Sequence, residues 1–453
     1  MRSGRIEVCL WFVRVSMFAV RLVDWLISGS GFVLRDRRGV EHRCGAVAGE
    51  PDLILRLRRD IPSWRFVTRP SLAIGEAYLR GDLIVERGAL RDLMALIFCE
   101  IQSFNKAHPR WAAARALSAR LLGRLYELNS QSTSHANISH HYDIDVEIFE
   151  LLLDRHMQYT CAAFPDAALP CTTEDGLARY EADEPLDLDA AQDRRIDQII
   201  AKLRIERDMR VLDVGCGWGG LAIEIARRTG ANVTGITISR RQLAYAREKA
   251  VACGMADKVT FECCDYRDIA SKFDRIVAAG VLEHIGKPQF KLFLSRLTEA
   301  LRTDGVVLID ALGRIDAPAG TNGWLRKYIF PGGYIPSVSE IAVALEEEHC
   351  IIYDIDVSTL QYALTVREWT RRLTANAAEI ERRRGPEFVR MLEFYFAASE
   401  MALMHGRFIN FQLLAGNSRF AVPLNRQAIA AAPTCRTEAP PQPATLVRPR
   451  ASQ

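Results

Sequence analysis

Residues Val211 to Gly219 read Val-Leu-Asp-Val-Gly-Cys-Gly-Trp-Gly, an apolar run that enters an acidic, triple-glycine turn and continues into the helical pattern Leu221 to Arg228. Gly215, Gly217 and Gly219 permit a tight turn and close approach of backbone to a ligand, and the start of the next helix offers free N–H groups. This is the chemistry of a nucleotide-type cofactor loop. The pattern Asp213-x-Gly215-x-Gly217-x-Gly219 is closer to a loop for S-adenosylmethionine (SAM) than to the dinucleotide pattern G-x-G-x-x-G, although Gly215, Gly217 and Gly220 satisfy that one too. Taken alone, the turn is also compatible with a plain strand-to-helix connection.

The elements around the loop alternate. From about Asp187 the periodicity predicts a helix to Leu203, a strand Arg210 to Val214, a helix, a strand Ala231 to Thr237, a helix Ser239 to Val251 and a strand Val259 to Cys263. A strand Arg275 to Ala279, a helix Pro288 to Leu301 and a strand Gly305 to Ile309 follow. Strand and helix in turn specify an α/β fold with a doubly wound parallel sheet and a ligand at the carboxyl ends of the strands. After Pro336 come a helix to Glu348, a strand Ile351 to Val357 and a long amphipathic helix near Pro386 to His405. Upstream, Gly31 to Cys44 carries a hairpin signal, and helical patterns occupy Leu90 to Phe104 and Pro109 to Glu127.

At 453 residues the chain exceeds one comfortable core, and 49% hydrophobic with 25% charged residues is a globular composition, so two domains with tails are expected. Residues 1 to 130 hold 21 Lys and Arg against 13 Asp and Glu, and all but Lys106 of the basic residues are Arg, which suits phosphate contacts or a solvated basic face. Val8 to Leu34 is interrupted by Arg14, Arg21 and Asp24 and falls short of the ~18 uncharged residues of a span, so it reads as a surface-lying or buried amphipathic helix. Glu7 and the lack of an A-x-A site argue against a cleaved signal peptide. The 11 cysteines form no C-x-x-C pair, and His135, His140, His141 and His156 lack ligand spacing, so neither a disulfide framework nor a metal site is expected. Ala428 to Gln453 is Ala/Pro-rich and expected to be disordered.

Several ordered segments resemble one family. His141-Tyr142-Asp143-Ile144, Tyr159-Thr160-Cys161-Ala162, Asp213 to Gly219, Thr237-Ile238-Ser239, Asp265-Tyr266-Arg267-Asp268, Glu283-His284-Ile285-Gly286, Tyr328 to Gly333 and Gln361-Tyr362-Ala363 occur in the order seen in cyclopropane-fatty-acyl-phospholipid synthases and mycolic acid cyclopropane synthases. The resemblance spans about His140 to Ser418. Gly75-Glu76-Ala77-Tyr78 with Gly81-Asp82 also looks like the N-terminal domain of the phospholipid-acting members. It implies a seven-stranded, Rossmann-like SAM-dependent methyltransferase domain over residues 131–423, a smaller α+β lipid- or membrane-associating domain over 1–130, and a tail over 424–453. The permanent sulfonium cation of SAM favours carboxylate or backbone oxygens and aromatic faces. By family similarity Tyr159 and Thr160 cover the methionyl end, Gly215 and Gly217 give the backbone approach, Thr237 and Gln242 lie at the ribose, Asp265 with Tyr266 at the adenine, and Asp213, Gly219 and Ile238 complete the cofactor-binding set.

In the resembling enzymes the alkene π electrons of a cis double bond take the methyl of SAM, and the resulting carbocation loses a proton as a cyclopropane ring closes. The base there is bicarbonate held by a Cys, a Glu, a His and a Tyr; the Cys matches Cys161, the Glu Glu283 and the Tyr Tyr362. Where family members read His-Thr-Ile at the end of the fifth strand, this chain has Asp310-Ala311-Leu312. A carboxylate beside Glu283 repels an anionic base unless one of the pair is protonated. Three readings follow: Asp310 takes the proton itself, the reaction stops at methylation, or catalysis is lost. A second departure replaces the family's Gly-Asn-Asp-Phe-Tyr with Asp145-Val146-Glu147-Ile148-Phe149, expected on a helix covering cofactor and substrate. Singly, Cys161 fits a buried small residue, Glu283-His284 a helix start and Tyr362 a core aromatic; their joint order favours function.

The resulting expectation is a SAM-dependent enzyme acting on unsaturated acyl chains of membrane phospholipids, cytoplasmic and peripheral on the inner membrane face. Cyclopropane formation leads, with ring-free acyl C-methylation, a non-catalytic lipid-binding paralogue and, more distantly, an NAD oxidoreductase as alternatives. No nucleic-acid partner is expected, and homodimerisation is left open.

Overall fold

The computed structural model describes residues 31–47, 49–110, 145–166, 171–172, 178–179 and 185–422. The helix expected beyond residue 110, the segment His141 to Ile144, most of Val8 to Leu34 and the tail lie outside the described residues.

The N-terminal unit is built from β1 (Phe32–Arg35), β2 (Glu41–Cys44), β3 (Ile54–Leu57), α1 (Ser63–Thr68), α2 (Pro70–Leu79), β4 (Leu83–Arg87) and α3 (Leu90–Ala107). Its sheet runs β2-β1-β3-β4, with β1 and β2 forming the expected antiparallel hairpin. Gly39 turns that hairpin at φ +82, a conformation costly for side-chain-bearing residues.

After α4 (Val146–Leu152) and the short strands β5 (Cys171–Thr172) and β6 (Ala178–Arg179), the main domain begins with α5 (Leu188–Leu203). It continues through β7 (Arg210–Val214), α6 (Gly220–Thr229), β8 (Asn232–Thr237), α7 (Arg240–Ala252), β9 (Val259–Cys263), β10 (Phe273–Ala279), α8 (Phe290–Ala300) and β11 (Leu301–Arg314). Then come α9 (Gly323–Tyr328), α10 (Val338–Glu347), β12 (Ile351–Val357), α11 (Thr359–Ala375), α12 (Ala377–Arg384), α13 (Pro386–Met404) and β13 (Phe408–Gly416). Local chemistry starts several of these helices: Asp187 accepts from Ala190 N at 2.9 Å, Ser239 from Gln242 N at 3.3 Å, and Ser337 with Glu340 makes a capping box.

The seven strands order as β12-β13-β11-β10-β7-β8-β9. The order reverses at β7, which pairs in parallel with both β8 and β10, so the crevice at their carboxyl ends is where a doubly wound sheet takes its ligand. The sheet is not wholly parallel as the alternation predicts. β13 enters antiparallel between β11 and β12. Its residues Ile409 to Ala415 are buried throughout, the polar Asn410 and Gln412 included, so the strand is covered on both faces. The sequence pattern also omits α11, whose Thr, Tyr, Val and Trp residues are weak helix formers held by burial of Leu364, Val366, Trp369 and Leu373. No helix among the described residues is long and apolar enough to cross a membrane.

Two apolar layers cover the faces of the sheet, and a third core joins α2, α3, α4, α9, α11 and α13 above the crevice. The N-terminal unit docks into that third core: Tyr78 donates to Glu393 at 2.9 Å, Arg390 Nε donates to Leu79 O at 2.6 Å, and Lys327 binds Glu76 at 2.7 Å.

Candidate active site

The glycine loop adopts the backbone its composition requires, with Gly215, Gly217 and Gly219 at φ +71, +53 and +82. A Cβ on Gly219 would lie 2.7 Å from Ala246 Cβ and from Phe261, and one on Gly215 would lie 2.5 Å from Val281, so both are fixed by packing. A Cβ on Gly217 would meet nothing within 4 Å and would project into open space. Gly220 has a separate role. A Cβ there would run into His156 O, so its absence lets the segment 154–161 lie against the start of α6. Asp154 shapes that segment by accepting from His156 N at 2.8 Å and Gln158 N at 2.7 Å.

This approach brings Tyr159 and Thr160 to the crevice. Thr160 O accepts from Gln192 Nε2 at 2.9 Å, and its Cγ2 lies 3.3 Å from where a Cβ on Gly280 would be, just beyond β10. Tyr159 stacks on Trp369 at 4.8 Å and meets Phe149 of α4 edge-on at 5.7 Å. Asp213 at the end of β7 is buried, its Oδ2 has no hydrogen-bond partner, and burial alone lifts its carboxyl to about 7. Thr237 Oγ1 donates to Gln242 Oε1 at 2.9 Å, both side chains being buried, with the half-buried Ile238 beside them. Asp265 is committed locally: Arg267 N and Nη1 each donate to it at 3.0 Å. Tyr266 sets its ring against Phe293 at 5.0 Å. An orphaned buried carboxylate oxygen and the space over Gly217 fit a ligand that brings hydrogen-bond donors and lies on the loop, as SAM does.

Gly217→Val is expected to abolish SAM binding in calorimetry, because the branched side chain fills the space where backbone meets ligand. Unchanged SAM affinity in that variant would refute the assignment of the loop.

The residues expected to hold a base also come together. Cys161 is buried, its thiol pushed up to about 12 chiefly by burial, so at neutral pH it is a hydrogen-bond donor and not an anion. Glu283, in the 3₁₀ turn after β10, accepts from Leu312 N at 2.5 Å through Oε1, while Oε2 is buried with no hydrogen-bond partner. Burial raises its carboxyl to about 7 against the pull of the Leu312 N–H. The Tyr362 phenol is pushed well above its ordinary value by desolvation, with added repulsion from Tyr395, Glu283, Cys161 and Asp310. His284, beside Glu283 in sequence, is held neutral, its imidazolium lowered to about 4 by burial.

Asp310 differs from the expectation of an unmatched carboxylate repelling an anion. Arg195 of α5 donates to its Oδ2 through Nε at 3.1 Å and Nη2 at 2.7 Å, with both side chains 3% exposed. Asn410 Nδ2 adds a bond to Oδ1 at 3.1 Å and Gln412 Nε2 one to Oδ2 at 3.0 Å. The position therefore carries a satisfied, charge-matched pair. Neither Arg195 nor the two β13 amides stands out in a motif along the chain. The available signal is in α5, where Arg195 falls on the same face as the buried Ala191, Gln192, Ile196 and Ile199. A charge inside an apolar stripe needs a buried partner.

His156, Asp193 and Glu224 also come together, with ligand atoms within 4.8 Å of one another. Arg228 binds Asp193 at 2.5 Å, Arg227 binds Glu224 at 2.5 Å and Arg155 also binds Asp193, so the cluster is an ion-pair network on α5 and α6. Beside Tyr159 opens a cavity of about 130 Å³, its wall formed largely by Ile148, Phe149, Leu152, Ile329, Met391 and Leu392. The altered segment at 145–149 thus begins α4 and places Phe149 against both cavity and cofactor loop, 5.5 Å from Trp218.

Known proteins share this fold. The sequence profile of the family described as mycolic acid cyclopropane synthetase matches residues 129–413. A cyclopropane-fatty-acyl-phospholipid synthase of Escherichia coli (strain K12) is 31% identical over 356 residues, 78% of this chain and 85% of that one. A probable fatty acid methyltransferase of Pseudomonas putida is 32% identical over 294 residues, 63% of this chain and 70% of that one. The solved structure of the cyclopropane synthase MmaA2 from Mycobacterium tuberculosis superposes with a TM-score of 0.56 at 22% identity, covering 64% of this chain and 99% of that one. A mycolic acid cyclopropane synthase, CmaA1, solved with SAH and CTAB has the same TM-score at 24% identity and the same 64% and 99% coverage. With the glycine loop at the switch point of the sheet and a match over most of its length, this chain belongs to the mycolic acid cyclopropane synthetase family.

Proposed function

We propose that the protein is a SAM-dependent transferase that adds a one-carbon unit to the cis double bond of unsaturated phospholipid acyl chains, closing a cyclopropane ring. The observation that carries this reading is the apolar cavity lined by Tyr159 and Tyr395, since the Tyr395 phenol also interacts with Glu283 and with Tyr362, whose own neighbours include Cys161. SAM supplies the methyl group when bound. The roles of this chain's residues follow from their surroundings. Tyr159, Phe149 and Trp369 form aromatic walls suited to a sulfonium cation and an alkene. Glu283, titrating near neutrality, can accept a proton, and Cys161 and Tyr362 are donors that would orient an anion such as bicarbonate against it. Asp310 acts through Arg195 as a positioning group in this reading.

A second reading, acyl methylation without ring closure, is favoured by the Arg195–Asp310 pair standing where the resembling enzymes keep an imidazole. Lipid mass spectrometry after expression in a host lacking such enzymes separates them. A gain of about 14 mass units per acyl chain with loss of unsaturation is expected; the same gain with unsaturation retained would establish methylation. An unchanged lipid profile with intact SAM binding would overturn both readings in favour of a binding protein.

The N-terminal unit is the membrane-facing part of this proposal. Trp64 of α1 is 67% exposed, with the exposed Arg58 and Arg69 nearby in sequence. An amphipathic ring among cations suits an anionic lipid surface. Binding to anionic liposomes is expected to weaken as salt rises, since exposed charges are screened over ~10 Å at 0.1 M ionic strength. Retention of full binding at high salt would exclude an electrostatic contact.

A further inference from the structure

Arg384 is the last residue of α12, and its side chain forms part of the cavity rim together with Phe388, Tyr328 and Met391. Its guanidinium carbon lies 5.0 Å from the centroid of the Phe388 ring, which holds it against the cavity wall. The arginines before it are committed elsewhere: Arg382 and Arg383 both bind Glu379, at 2.7 and 2.6 Å. Arg384 has no carboxylate partner among the described residues and is exposed. Gly385, at φ +83, turns the chain there into α13, so this cation sits at the corner where two helices frame the cavity mouth.

An apolar cavity with one unpaired cation at its mouth has the polarity of an amphiphile carrying an oxyanion at one end. The long stem of arginine packs on apolar surface while its planar head stays in water, and that head binds a phosphate or carboxylate through two parallel N–H bonds. The favourable placing of cations at a helix C-terminus is already met by Arg382 and Arg383 and does not require contact with the cavity.

We propose that Arg384 is the anion subsite for the head end of the acyl lipid, binding its oxyanion while the hydrocarbon runs inward past Met391 and Leu392 towards Tyr159. The proposal rests on the reading of this cavity as the acyl site. The oxyanion is the phosphodiester of a phospholipid or the carboxylate of a free fatty acid, and the two are separable by experiment.

Equilibrium binding and turnover would be measured for the full chain and its Arg384→Gln, Arg384→Lys and Arg382→Gln variants. The probes are phosphatidylglycerol with cis-unsaturated chains, the matching diacylglycerol, a cis-unsaturated fatty acid and its methyl ester, each in neutral detergent micelles. Arg384→Gln is expected to weaken binding and raise KM for the anionic lipid about tenfold, with kcat and the neutral lipids unchanged. Arg384→Lys should recover part of the loss, and Arg382→Gln should match the parent. A loss confined to phosphatidylglycerol identifies the phosphodiester as the partner; one confined to the fatty acid identifies the carboxylate. Equal binding of charged and neutral lipids by the parent, or an equal loss for both in Arg384→Gln, would overturn the subsite. Arg384-dependent binding without turnover of any lipid would instead overturn the transferase reading and leave the subsite in place.

Discussion

Glu283→Gln is expected to lower turnover by about a hundredfold to ten-thousandfold, the range for loss of a positioned general base, while SAM affinity changes little. The buried carboxyl of Glu283 titrates near 7, so only its ionised form, above that pH, can accept a proton. The rate should therefore rise through about pH 7 in the parent, and this acid limb should be absent in the Gln variant. Stability runs the opposite way. Between the ordinary 4.5 and about 7 the native protein keeps a proton that the unfolded chain has released, so the contribution of this group is full below 4.5 and lost as pH rises through 7. At about 1.4 kcal/mol per pKa unit the change amounts to about 3 kcal/mol, and Glu283→Gln should remove that dependence from denaturant unfolding measured across pH. Parent-level turnover in the Gln variant would refute any proton-accepting role for Glu283.

Arg195→Met should destabilise the protein by about 3–5 kcal/mol, because it leaves the Asp310 carboxylate buried with only amide partners. Asp310→Leu should be destabilising as well, stranding the guanidinium. The double variant Arg195→Met with Asp310→Leu should come closer to the parent than the sum of the single effects, since removing both charges removes the desolvation cost with the attraction. Denaturant unfolding of the four proteins tests this directly, and additive losses would show that the two groups do not act as a pair. The same geometry sets the expected result for Asp310→His. An imidazole facing Arg195 leaves the guanidinium unmatched, so His at 310 should increase bicarbonate dependence of turnover only when Arg195 is also replaced by Gln. Bicarbonate-independent turnover in that double variant would argue against a base site at this position.

The order of amino acids alone specifies the cofactor loop, the strand-and-helix alternation through Ile309 and the succession of the site segments. These depend on local properties: glycine where φ is positive, apolar period along a strand, Ser or Asp at a helix start. Cys161, Glu283 and Tyr362 are legible because each sits inside a short recognisable string. The places of α11 and β13 are not, since polar residues stand at buried positions in both, Arg367 and Glu368 in α11 and Asn410 and Gln412 in β13, and burial of such groups depends on partners the fold supplies. The state of Asp310 is set by the folded chain. Its partners come from positions 195, 410 and 412, a hundred or more residues away in each case, and an ion pair over such separations exists only once α5 and β13 have packed against β11. A carboxylate read along the chain is a repelling charge; the fold surrounds it with a guanidinium and two amides and makes it a neutralised, buried anchor.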